Sequence, residues 1–101
     1  MEHYTSAETL ERLANDKNPY VRWLVAKVDN APSEILARLA NDEDSQVRCR
    51  VAISINTSPE TLELLANDEH SDIRQGVARN PNTPQYILTY FKVKEFLNRY
   101  E

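Results

Sequence analysis

A chain of 101 residues, 41% hydrophobic and 28% charged, has the size and composition of one domain with a modest core. Its net charge of −4 argues against a dedicated nucleic-acid binder, which needs a basic face. No apolar run reaches the ~20 residues of a membrane-spanning helix.

The opening MEHYTSAETLERL lacks the basic-then-apolar order of a secretory signal, so none is expected. Thr5-x-x-Glu8 reads instead as a capping box for a first helix. That helix stops at Leu13-Ala14-Asn15-Asp16, and Asn18-Pro19 opens a second, with a cap residue before a proline suited to the first turn. The same tetrapeptide returns at Leu39-Ala40-Asn41-Asp42 and Leu65-Ala66-Asn67-Asp68, each time 26 residues on. A fixed period of this size marks a repeat array.

Laid out at that period, the chain reads as one repeat domain over residues 1–101, with units 7–32, 33–58 and 59–84 and a tail 85–101. In the second unit, Ile35, Leu36, Leu39 and Ala40 make one helical face, and Val47, Val51, Ala52 and Ile55 make another. Thr57-x-x-Glu60 repeats the capping signal for the third. Leu10, Leu36, Leu62 and Leu88 share a column, as do Val21, Val47 and Ile73. With Gly76 the single glycine, helix ends must be made otherwise. Asn15, Asn41 and Asn67, then Asn30, Asn56 and Asn82, are the expected left-handed stops. Each Asp of the tetrapeptide precedes an arginine by six residues: Asp16/Arg22, Asp42/Arg48 and Asp68/Arg74. These pairs are expected to form a ladder of structural Asp–Arg contacts down the stack.

The tail, from Gln85 to about Tyr100, contains no stop and predicts one continuous capping helix. Ile87, Leu88 and Phe91 should face the third unit. Tyr86, Tyr90, Val93, Leu97 and Tyr100 are spaced 4, 3, 4 and 3 residues apart, the seam period of paired helices. Tyr90, Val93, Leu97 and Tyr100 are thus the candidates for weak homodimerisation.

The pattern L-x-x-L-A-N-D…V-R-x-x-V-A…N-x-x-P, clearest in LLANDEHSDIRQGVARNPNTP, resembles the leucine-rich repeat variant family. The resemblance covers roughly residues 5–88. It implies an all-α, right-handed α-solenoid of the HEAT and armadillo kind, with about three helix pairs and a short first helix in each. A member of that family carries an iron–sulfur cluster on a separate group of cysteines. Cys49 is the one cysteine here, so no cofactor is expected. It also permits no internal disulfide, which fits a reducing, cytoplasmic setting.

Catalysis has no visible basis. His3 and His70 belong to no Ser/His/Asp or Cys/His set, no glycine-rich phosphate loop exists, and no metal motif is present. Glu69, His70 and Asp72 form an acidic connector whose ordinary fate is solvation. Arg48 and Arg50 flank Cys49 and could lower its pKa, but the expected reading is a small half-buried side chain. A non-enzymatic binding module is the expectation, and its specificity should lie where the second helices vary between units. Those columns read Tyr20, Gln46, Asp72; Trp23, Cys49, Gln75; Leu24, Arg50, Gly76; and Lys27, Ile53, Arg79. Tyr20, Trp23 and Lys27 fall on one face, an aromatic pair beside a cation. The candidate partner-binding residues are Tyr20, Trp23, Lys27, Arg50, Ile53 and Arg79, for a protein or peptide. Nucleic-acid contact through Lys27, Arg50 and Arg79 is the weakest alternative.

Overall fold

A computed structural model describes residues 6–100. Among them are seven helices and no strand: α1 (Ala7–Leu13), α2 (Pro19–Lys27), α3 (Ser33–Leu39), α4 (Ser45–Ile53), α5 (Pro59–Leu65), α6 (Ser71–Arg79) and α7 (Gln85–Arg99). Odd-numbered helices start at 7, 33, 59 and 85, and the others at 19, 45 and 71, so the helices keep the 26-residue spacing of the sequence. The molecule is elongated, 51 × 24 × 20 Å. Helices α2, α4 and α6 lie against one another, whereas α1, α3 and α5 are set farther apart.

Side-chain caps account for four of the seven starts, those of α1, α2, α4 and α5; α3, α6 and α7 have none. The Asn18 side chain accepts the Tyr20 amide ahead of Pro19. Asp44 does the same for Gln46 and Val47. Ser6 and Ser58 accept from Thr9 and Thr61. Ser6 and Ser58 are the cap residues of α1 and α5, and at α5 the cap is one residue after the expected Thr57. Thr5 lies outside the described residues. Thr57 turns inward instead, and its buried hydroxyl donates to the Val51 carbonyl at 2.6 Å, closing the end of α4.

The ends also differ from expectation. No described non-glycine residue has positive φ. Ala14, Ala40 and Ala66 end the first helices in right-handed geometry. The amides of Asn15 and Asp16 then bond back three residues, to Arg12 and Leu13, both at 3.1 Å. This tightening into a 3₁₀-type turn satisfies the last carbonyls without a left-handed residue. Asn15 caps from the side, donating Nδ2 to the Glu11 carbonyl. Asn56 reaches across units to the Asp29 carbonyl, and Asn82 to that of Ile55. Asn80, buried, donates to Ala52 and Ser54 carbonyls at 2.9 and 2.8 Å.

One continuous core runs the length of the stack, built from Leu10, Leu36 and Leu62, Val25, Val51 and Val77, and Val47 and Ile73. Ile87 closes its far end. Gly76 sets the α4–α6 spacing, because a Cβ there would stand 3.1 Å from both Ala52 Cβ and Ile53 Cγ2.

The Asp–Arg ladder exists, but it joins neighbouring units. Arg22 Nε and Nη2 donate to the Asp42 carboxylate at 2.7 and 3.0 Å. Arg48 holds Asp68 in the same way at 2.8 and 3.4 Å. Within a unit the arginine finds only the backbone: Arg22 Nη1 donates to the Asp16 carbonyl and Arg48 Nη1 to that of Asp42. The carboxylates of Asp16, Asp42 and Asp68 each turn their own connector, accepting the amides of Asn18, Asp44 and His70. Burial alone would raise the pKa of Asp42, but the Arg22 bond and the Asp44 amide hold it below the usual carboxylate range. Asp68 is lowered likewise by Arg48 and the His70 amide against its burial.

Candidate functional site

The first turns of α2 carry a built cluster. The rings of Tyr20 and Trp23 are stacked, centroids 5.7 Å apart and planes 12° from parallel. Lys27 Nζ stands 5.3 Å from the Trp23 ring centre, one turn further on. Spacings of three and four residues put all three on one helix face. Trp23 is half-buried with one side against the core, while Tyr20 is 62% exposed. The indole is therefore packed on the core and covered by the Tyr20 ring, which is itself exposed to solvent. Pro19, Tyr20 and Trp23, with Asp44 and Gln46 from the α4 side, line a cleft of about 360 Å³. An amphipathic ring held in one rotamer loses little entropy on binding, and a cation beside it favours a partly acidic or carbonyl-rich ligand.

The remaining candidates lie on the neighbouring helices. Ile53 (43% exposed) and Arg79 are exposed on α4 and α6. Arg50 is half-buried, and its Nε is buried without a hydrogen-bond partner. Among the described residues no ring or cation–π contact extends the Tyr20–Trp23–Lys27 cluster to these three, so the candidate site is one cluster on α2.

The Cys49 thiol is shifted upward, opposite to the lowering its flanking arginines could bring. Burial raises its pKa and Asp72 raises it further, against a smaller opposing effect of Arg50. Around the acidic connector, no group of three His, Cys, Asp or Glu side chains is placed to hold a metal ion among the described residues. His3 lies outside them.

Helix α7 is divided along its length. Ile87 is buried, Leu88 half-buried, and Phe91 packs on the core. Tyr86 donates its hydroxyl to Glu63 at 2.9 Å and Tyr90 to Asn67 at 2.6 Å, tying both rings to α5. The Glu63 bond also raises the Tyr86 pKa. The free part of the expected seam is therefore Val93, Leu97 and Tyr100, and all three are exposed. Phe96, which neighbours that seam in the sequence and extends its apolar surface, packs its ring against Tyr100 with centroids 4.8 Å apart. No described helix is long and apolar enough to cross a membrane.

No protein-family model matches this chain, and no curated protein or solved structure matches it significantly.

Proposed function

We propose that this chain is a non-enzymatic helical-repeat scaffold, a right-handed α-solenoid of three 26-residue helix pairs with α7 as its cap, resembling the leucine-rich repeat variant family. Its role is to bind a protein or peptide along the second helices. The closer packing of α2, α4 and α6 supports reading them as the inner side of such a curve. The observation that carries the reading is the Tyr20–Trp23 stack with Lys27 over the indole, beside an open cleft. Tyr20 lies exposed and stacked on Trp23, and rigid aromatic surface next to a cation is what peptide hot spots are made of. The setting proposed is reducing and cytoplasmic, with no cofactor.

The test is a selection of peptides from a randomised library on the wild-type chain. Trp23 is the single tryptophan, so its fluorescence reports occupancy of the cleft directly. Selected peptides should shift that emission and lose affinity for Trp23→Ala and Tyr20→Ala. Binders insensitive to both substitutions would refute the site.

A second reading has its own observation. Val93, Phe96, Leu97 and Tyr100 leave more than half of each side chain exposed on a helix that overhangs the stack, and weak self-association would cover them. Nucleic-acid contact through Lys27, Arg50 and Arg79 has no such support, given the net charge of −4.

A further inference from the structure

The Asp–Arg ladder has an open end. On α6, Arg74 repeats the inner rungs on its own side: Nη1 donates to the Asp68 carbonyl at 2.6 Å, against 2.6 and 2.8 Å for Arg22 and Arg48. In those rungs the remaining edge, Nε and Nη2, holds the carboxylate of the next unit. Arg74 has no such partner among the described residues. The column of Asp42 and Asp68 continues into Lys94, on a helix that runs on where the inner units turn. Arg74 and Lys94 line a cleft of about 440 Å³ with Asn98, Glu95, Phe91 and Ala66. The Lys94 ammonium lies 5.6 Å from the Tyr90 ring, and Glu95 is directed to Arg99, 3.8 Å away.

We infer that this cleft is a carboxylate-binding site whose ligand is an acidic side chain on a tight turn of a partner polypeptide. The inner rungs define what the guanidinium edge accepts: an aspartate whose Oδ1 also accepts the amide two residues further along its own chain. A guanidinium fork matches a carboxylate with two parallel bonds. The Asp68 carbonyl already fixes the Arg74 fork, so little ordering remains when the ligand arrives. Lys94 adds a second positive charge where the inner rungs supply the carboxylate, and the Phe91 ring gives the turn an apolar wall. The site is separate from the aromatic cluster on α2 and stands or falls without it.

The experiment titrates ¹⁵N-labelled protein with the blocked peptide LANDEDS, the chain's own residues 39–45, and with the same peptide carrying Asn in place of its first aspartate. The Arg74 Nε–H resonance should shift with the first peptide, and affinity should fall about tenfold or more with the second. Arg74→Gln should lose binding. Lys94→Glu, which supplies a carboxylate from within, should also lose it while keeping or raising the thermal midpoint, which separates occupancy from misfolding. Glu95→Gln should bind as well as wild type or better. Four results would overturn the inference: binding unchanged in Arg74→Gln; acetate competing as well as the peptide at equal carboxylate; a silent Nε–H in both wild type and Glu95→Gln; or a doubled mass without peptide that Asp16→Asn abolishes, which would make a second copy the occupant.

Discussion

Substituting Arg48 by alanine tests what holds neighbouring units in register. The side chain spans two units, with two bonds to the Asp68 carboxylate and two more to the carbonyls of Asp42 and Glu43. The ion pair is only 12% and 9% exposed, so it sits between the surface pairs that contribute about 0–1 kcal/mol and the buried pairs whose breakage costs about 3–5 kcal/mol. Removing Arg48 also leaves Asp68 with its connector amide as its remaining hydrogen-bond donor. A loss of about 2–3 kcal/mol follows after allowing for solvent screening. Arg74→Ala is the internal control, because it removes the carbonyl bond alone and should cost about 0.5–1.5 kcal/mol. Urea melts of both variants, followed by circular dichroism, measure the two losses on one scale. Equal costs for Arg48→Ala and Arg74→Ala would mean that the bond between units contributes nothing, and the ladder would lose its role.

Because Asp42 and Asp68 have lowered folded pKa values, their contribution is fully present above the unfolded carboxylate pKa of about 4 and is lost as pH falls through the folded values. Thermal midpoints should therefore be flat from neutral pH to about 5 and drop in acid, and Asp42→Asn with Asp68→Asn should flatten that drop. Burial and Asp72 raise the Cys49 pKa, so iodoacetamide at pH 8 should label it more slowly in the folded chain than in urea. Phe91→Ala removes a ring packed on the end of the core and should cost about 3 kcal/mol in a urea melt. Leu97→Asp, on the exposed overhang, should leave that melt unchanged while abolishing any concentration-dependent mass in sedimentation.

The helix positions were legible because a 26-residue period repeats the caps and the leucine column together. The pairing of charges was not, and the period itself is the reason. In an array every offset between columns is constant, so Asp16 six residues before Arg22 and Asp42 twenty residues after it are equally regular. Only the positions of successive units decide between them. The helix ends misled for a different reason. A 3₁₀-type closure depends on backbone bonds that any residue can make, whereas asparagine carries a visible bias toward left-handed stops. Of the candidate site, Tyr20, Trp23 and Lys27 could be grouped because one helix carries them. Arg50, Ile53 and Arg79 sit on other helices, and their distance from that cluster depends on the angle between units. The Tyr90 hydroxyl bond to Asn67 likewise depends on the rotation of α7 over α5, which a stripe pattern does not specify.

The proposed binding surface is the exposed face of the second helices. Chemical-shift mapping of the ¹⁵N-labelled chain with a library-selected peptide tests it most directly. The largest shifts should be those of the Trp23 indole N–H and the amides of Tyr20, Lys27 and Gln46, extending to Ile53 and Arg79. Shifts confined to α1, α3 and α5, with the Trp23 indole N–H unmoved at saturation, would contradict it.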